Sequence, residues 1–289
     1  MTYTIGIDVG GTFTDIVVST QDGRTIIAKA PTTPRDQSDG VLEGLTLAAE
    51  HLGLTRSDLL AATARIVHGT TAATNALLEG KTARVGLLTT EGHRDVIEMR
   101  EGLKPERYNL RMAPPEPLVP RHLRLGVRER MKPDGSVETA LDRASLDAAV
   151  EALAKADVQA VAVCFLHSWR NPAHEQAAAD AVRARLQQAY VTASSDVLPQ
   201  IKEFERFSST VANAAVGPVI RNYLGTLQER LAEAGYRSEL LVILSHGGVA
   251  SVAEAVRLAA GTALSGPAGG VAAAVALSGG KTVDYARIS

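Results

Sequence analysis

Residues 1–20 read MTYTIGIDVGGTFTDIVVST, and the turn inside them decides how the rest is read. An apolar run from Ile5 to Val9 carries one carboxylate, Asp8, breaks at Gly10-Gly11, and resumes through Thr12, Phe13 and Thr14 to Asp15. β-Branched residues dominate both sides of the break, so two strands joined by a tight turn are expected. Gly10 and Gly11 lack Cβ, which permits positive φ and close approach of the backbone to a ligand. Successive N–H groups in such a turn form a concavity that favours anions. Asp8 suits a Mg²⁺ ion held through water beside a phosphate. No Gly-Lys-Ser/Thr follows, and no G-x-G-x-x-G opens a helix, so this is neither a P-loop nor a dinucleotide fingerprint.

Working outward, Gln21–Gly23 marks a second turn and Thr25–Lys29 a third strand. Helices are expected over 38–51, 70–78, 141–155, 172–188 and 201–228, the last with Pro218 as a break or first-turn residue. Short strands are expected at 65–67, 84–89, 190–194 and 240–244, and a buried one at 157–166. Residues 101–120, rich in proline and charge, read as an extended loop, and Pro133-Asp134-Gly135 as a hairpin turn. Strands that alternate with helices after an initial meander give an α/β or α+β class.

Composition excludes several functions. The chain has 289 residues, 45% hydrophobic and 21% charged, with a net charge of -2. No global basic field points to nucleic acid or an anionic membrane. The single cysteine, Cys164, sits among apolar neighbours and reads as a packing residue in a reducing cytoplasm. No secretory leader is expected, because the N-terminal apolar run lacks a basic flank and is cut at Asp8. Leu258–Gly280 is rich in small residues and is expected to be loop plus a buried helix, not a membrane span.

Three further stretches carry candidate chemistry. In HGTT, His68-Gly69-Thr70-Thr71, hydroxyls and free N–H groups meet a helix start. That is either an anion site or plain capping by Thr70 or Thr71 beside a packed histidine. Ser245–Ser251 and Ser265–Gly270 repeat the strand-then-glycine theme as cleft lining or tight turns. His167 and His174 read as loop residues, since no metal-ligand spacing joins them. Glu203 and Arg206 read as a solvated helix face with i,i+3 pairing.

IGIDVGGTFTDIVV, HGTTAATNALLEG, RVGLLTTEGHRDVIEMR, PEPLVPR, FLHSWRNPAHE, SSDVLPQIKEFERFSSTVANA, SHGGVAS and SGPAGGV together resemble the hydantoinase A / 5-oxoprolinase family, to which acetone and acetophenone carboxylase subunits are similar. The likeness runs from the first strand to about Val275. It implies an actin-like ATPase (ribonuclease H-like) fold with a mixed sheet, flanking helices and an incomplete second lobe. Residues 1–190 would be the family's N-terminal domain, and 191–289 the truncated start of its catalytic domain. The implied activity is ATP-dependent opening of a cyclic amide of hydantoin or 5-oxoproline type through a phosphorylated intermediate. Alternatives are a subunit of a ketone carboxylase and a non-catalytic assembly module that docks to a hydantoinase B-like partner. The implied cofactors are ATP and Mg²⁺. The implied nucleotide contacts are Asp8, Gly10, Gly11, Thr12, Thr14, Gly266, Gly269 and Gly270, with Asp8 toward the metal. The family's second Asp-Gly-Gly-Thr motif is not matched by Gly279-Gly280-Lys281-Thr282, which lacks the aspartate, and His246 stands where many relatives carry asparagine.

Overall fold

The computed structural model describes residues 2–33, 36–102, 106, 108–113 and 115–277. The Gly279–Thr282 stretch lies outside them. The elements in chain order are β1 (Tyr3–Val9), β2 (Phe13–Thr20), β3 (Thr25–Pro31), α1 (Gln37–His51), α2 (Arg56–Ala61), β4 (Thr63–Thr70) and α3 (Ala72–Leu78). Next come β5 (Val85–Thr90), α4 (Val96–Met99), β6 (Arg124–Val127), β7 (Arg130–Met131), β8 (Val137–Thr139), α5 (Arg143–Lys155) and β9 (Ala160–Cys164). Last are α6 (Ala173–Arg185), β10 (Tyr190–Ala193), α7 (Ser194–Val197), α8 (Glu203–Glu233), β11 (Leu240–Ile243), β12 (Val249–Ser251), α9 (Val252–Arg257) and α10 (Ser265–Leu277). The chain divides into two compact units: residues 1–81 with 219–289, and residues 82–218. These are spatial units, in which the C-terminal elements return to the first sheet.

The first unit is built on a six-stranded sheet in the order β12-β11-β4-β1-β2-β3. β1, β2 and β3 form an antiparallel meander, whereas β4 and β11 continue parallel to β1. Ile5, Ile7, Val9, Ile16 and Val18 face one side and are buried there against Val41, Leu42 and Leu45 of α1. Gly44 permits that approach, since a Cβ there would fall 2.7 Å from Ile16 Cγ1. Asp36 caps α1 by accepting from the Ser38 N–H at 2.9 Å. Arg230 of α8 donates to Asp36 at 2.9 Å and to Ser38 Oγ at 2.6 Å, fixing α8 to the start of α1.

The second unit holds a four-stranded parallel sheet in the order β10-β9-β5-β6. All residues of β5 and β9 are buried, the continuous apolar pattern of a strand covered on both faces. Pro218 lies inside α8 and does not end it, so the expected break is absent and the helix runs on to Glu233. Two expectations about the C-terminal region change. The glycine-rich Ser265–Gly270 stretch is itself helical, forming the first turns of α10. That helix is not buried all round: it packs on β4 and β11, and Val271 on its outer side is 39% exposed.

Candidate functional site

Residues 10–12 connect β1 to β2 at the sheet's C-terminal edge, counted along β1. The Gly10 N–H donates to the Phe13 carbonyl at 3.0 Å, and a Cβ at Gly10 would fall 3.2 Å from that same oxygen. A side chain there would crowd the turn. Neither Gly10 nor Gly11 uses the positive φ that its missing Cβ permits. A Cβ at Gly11 would meet open space. Among the described residues, the Gly11 and Thr12 N–H groups have no acceptor within the protein, and both residues are exposed. Thr32 supports the turn from behind: its hydroxyl donates to the Gly10 carbonyl at 2.9 Å, and its N–H donates to the Thr12 carbonyl at 2.9 Å.

Register places Asp8. It pairs with Asp15 on one side and Gly69 on the other, so Gly69, Asp8 and Asp15 lie in one row on the face opposite the core. Asp15 is bound by Lys29 at 3.0 Å. Asp8 has no hydrogen bond or ion pair among the described residues. Its two near neighbours are glycines: a Cβ at Gly69 would lie 3.1 Å from Asp8 Oδ1, and one at Gly266 would lie 3.4 Å from it. Partial burial first, then the Asp15 charge, raises the Asp8 pKa above the usual carboxylate range. The result is a partnerless carboxylate in a side-chain-free notch beside a turn with two unused N–H groups.

The HGTT stretch and the start of α10 close this notch. Thr70 ends β4, and its hydroxyl accepts from the Ala72 N–H at 3.1 Å, one residue ahead of Thr71, which stands at the N-cap of α3 without a side-chain capping bond. The Thr71 hydroxyl donates to the Val9 carbonyl at 3.1 Å. Ser265 is fully buried and satisfies both backbone groups of Thr70: it accepts from the N–H at 3.1 Å and donates to the carbonyl at 2.9 Å. His68 is the packed histidine of the capping reading. Burial lowers its pKa to about 4, so the ring is neutral, and Nε2 lies 2.9 Å from the Tyr223 hydroxyl.

The residues expected at a nucleotide divide three ways. Asp8, Gly10, Gly11, Thr12 and Gly266 come together. Thr14 does not join them, because it faces the core with Val9 and Ile16, is fully buried, and lies 3.2 Å from the Thr32 hydroxyl. Gly269 faces Ile243, where a Cβ would fall 3.1 Å from Cδ1, and Gly270 faces open space. Ser245–Gly248 is a tight turn leading into β12, with the Gly247 N–H donating to the Leu244 carbonyl at 2.9 Å, and it also lines a cavity of about 420 Å³ through Ser245, His246 and Gly247 against the start of α10. Gly69 is an additional member that spacing did not single out; its signal was the pairing of HGTT with DVGGT in a parallel register.

A cavity of about 650 Å³ opens on the other side of the turn, with Gly11 at its edge. α3 lines it with Ala72, Asn75, Ala76 and Glu79, an i, i+3, i+4, i+7 stripe. α8 lines it with the matching stripe Val219, Asn222, Tyr223 and Thr226.

In the second unit, Arg206 is not on a solvated face. It is fully buried, and its Nη1 donates to the Phe165 carbonyl at 2.9 Å and to the Ser168 hydroxyl at 2.6 Å. Its counter-ion is Glu175 at 3.9 Å rather than Glu203. Glu175 accepts from the Phe165 N–H at 2.9 Å, the Ser194 hydroxyl at 2.6 Å and the Ser195 N–H at 2.7 Å. His174 belongs to α6, not to a loop, and its Nδ1 lies 2.9 Å from Glu129 Oε2. Among the described residues no group of three or more His, Cys, Asp or Glu could hold a metal ion, and no helix is long and apolar enough to cross a membrane.

Residues 4–186 match the family model for the hydantoinase/oxoprolinase N-terminal region, and residues 206–286 match the hydantoinase/oxoprolinase model. The chain belongs to the hydantoinase/oxoprolinase family. It is 40% identical over 268 residues to the caprolactamase subunit alpha of Pseudomonas jessenii, covering 92% of this chain and 38% of that protein. It is 37% identical over 261 residues to the acetophenone carboxylase gamma subunit of Aromatoleum aromaticum, covering 86% of this chain and 36% of that one. The crystal structure of the ATP-dependent caprolactamase from Pseudomonas jessenii superposes with a TM-score of 0.89 at 38% identity, over 98% of this chain and 41% of that chain. The fold is thus the actin-like ATPase, ribonuclease H-like, fold. This family member spans about two fifths of the length of these relatives.

Proposed function

We propose that this chain supplies the phosphate-gripping part of an ATP-dependent enzyme that opens a cyclic amide of hydantoin, 5-oxoproline or simple lactam type. The observation that carries the reading is the Asp8 notch: a partnerless carboxylate between Gly69 and Gly266, next to the free N–H groups of Gly11 and Thr12. That donor set fits a magnesium nucleotide. Mg²⁺ takes one or two carboxylates, water and phosphate oxygens rather than an all-protein cage. Bound there, the nucleotide supplies a transferable phosphoryl group, which turns an amide or enol oxygen into a good leaving group. The Gly11 and Thr12 N–H groups would hold phosphate oxygens, and Asp8 would orient the metal's water shell. The relatives' names, a caprolactamase subunit alpha and an acetophenone carboxylase gamma subunit, support a small-molecule substrate and a multi-subunit enzyme; the partner proposed is a hydantoinase B-like subunit. The cytoplasm is the proposed location, in keeping with a lone buried cysteine.

A ketone-carboxylating subunit is the second reading, favoured by the 37% identity to the acetophenone carboxylase gamma subunit. Calorimetry with ATPγS, with and without Mg²⁺, tests the shared core of both. Metal-dependent binding that disappears in Asp8→Asn is expected. Binding that is indifferent to Mg²⁺ and to Asp8 would overturn the assignment of the notch.

A further inference from the structure

A cavity of about 470 Å³ lies wholly within the second unit, and no residue of the Asp8 notch lines it. Among the described residues, five that are not glycine adopt positive φ, and three of them, Arg100, His167 and Lys202, line this one cavity. They come from three separate segments. Arg100 follows α4 with φ 55° and ψ -144°, close to a region of backbone space essentially confined to glycine. His167, with φ 55°, stands between Phe165 and Ser168, both of which the buried Arg206 holds. Lys202, with φ 76°, precedes α8, and its carbonyl accepts from the Arg206 N–H at 3.3 Å. Such backbone costs free energy, persists only where its surroundings over-determine it, and clusters at ligand sites.

The charged groups of the wall decide what ligand fits. Lys202 is engaged within the protein, by Glu205 at 3.2 Å and Glu101 at 3.5 Å. Arg130 lies 3.8 Å from Glu138. One cation and one anion are left over. Arg100 has no ion pair among the described residues, and its guanidinium sits over the Phe204 ring, 5.7 Å from the centroid. Glu203, the neighbour of Phe204 in the chain, has neither an ion pair nor a side-chain hydrogen bond among them. Val96, Met99 and Leu166 make the wall partly apolar. We infer that this cavity binds a small amino acid as its zwitterion, the carboxylate on Arg100, the ammonium on Glu203 and the hydrocarbon part against Met99 and Leu166. A lone carboxylate would leave Glu203 unmatched in the same cavity, and a lone amine would leave Arg100 unmatched. A zwitterion satisfies both with charge-assisted hydrogen bonds.

The test uses the 289-residue chain with valine, leucine and methionine methyl groups labelled for NMR. It is titrated with L-leucine and with 5-aminopentanoate, whose charges lie farther apart, and with pentanoate and butylamine, which carry one charge each. One or both zwitterions are expected to shift Val96, Met99 and Leu166, and the single-charge compounds to leave them in place. Glu203→Gln should weaken the bound zwitterion about tenfold or more, the equivalent of one hydrogen bond to a charged group, and should let pentanoate bind. That second effect separates a charge partner from a residue that merely supports the wall. No shift from either zwitterion, equal shifts from pentanoate or butylamine in the wild-type chain, or wild-type zwitterion affinity in Glu203→Gln would each overturn the assignment.

Discussion

Gly69→Ala offers a sharp test of the Asp8 notch. The added Cβ would stand 3.1 Å from Asp8 Oδ1, so the carboxylate must give way by a few tenths of an ångström. It can do so cheaply, because it has no partner to lose. Loss of backbone freedom in the unfolded chain returns roughly 0.5 kcal/mol or more when alanine replaces a strand glycine. Unfolding free energy should therefore stay within about 1 kcal/mol of wild type. Metal-dependent nucleotide binding should suffer far more, since a displaced group beside a metal typically costs about 10–100-fold in affinity. That corresponds to roughly 1.4–2.7 kcal/mol. Gly266→Ala is the built-in control: its Cβ would sit 3.4 Å from the same oxygen, an ordinary contact, and should change affinity less than about threefold. Calorimetry with Mg·ATPγS and urea unfolding on the two variants give the needed pair of numbers. Wild-type affinity in Gly69→Ala, or an equal loss in both variants, would refute the placement of the metal at Asp8.

Three other outcomes are expected. Asp8→Asn should raise thermal stability at neutral pH, because a carboxyl whose folded pKa is raised contributes stability below its unfolded pKa and loses it as pH climbs; the advantage over wild type should shrink below about pH 4, as differential scanning calorimetry would show. His68 is held to about 4 in the folded chain, so its contribution is intact above pH 6.5 and is lost as pH falls toward about 4, at an order-of-magnitude cost of about 3 kcal/mol; His68→Asn should flatten that acid limb in urea titrations. Arg206→Ala should destabilise the chain by about 3–5 kcal/mol by leaving Glu175 buried and uncompensated, whereas Arg206→Met with Glu175→Gln should recover most of it; an equal loss in both would show that packing rather than charge sets the cost.

The legible parts of the chain were those whose signal is local. The β1–β3 meander follows from alternation and two turns, and α1 follows from its apolar spacing and capping aspartate. Thr14 shows a signal that was present but overridden by its neighbourhood in the motif. Counting back by two from Val18 through Ile16 puts Thr14 on the core face, whereas Asp15 shares the face of Asp8. Gly10 does not use the positive φ that glycine permits; what marks it in the structure is the close Phe13 carbonyl, 3.2 Å from where a Cβ would stand. Arg206 was out of reach, because its partners Phe165, Ser168 and Ser194 come from distant segments, and its helical spacing to Glu203 suggested a surface pair. The short α2 (Arg56–Ala61) was missed because six residues give too few turns for a period to show. The chamber beside Gly11 depends on two stripes from α3 and α8 meeting in space, which neither sequence stretch announces.

The Ser265 hydroxyl makes the same two bonds to Thr70 that a neighbouring strand residue would make through its backbone. A helix is thereby stitched to the end of a sheet strand by one side chain. The spacing between Gly266 and Asp8 is then pinned by a directional polar contact in addition to the packing of α10 on β4 and β11. Alanine at Ser265 would strand two buried backbone groups at once, and even a near-isostere such as cysteine would lengthen the stitch. A buried serine thus helps to fix the width of the notch, a residue type that composition or hydropathy would never mark as structural.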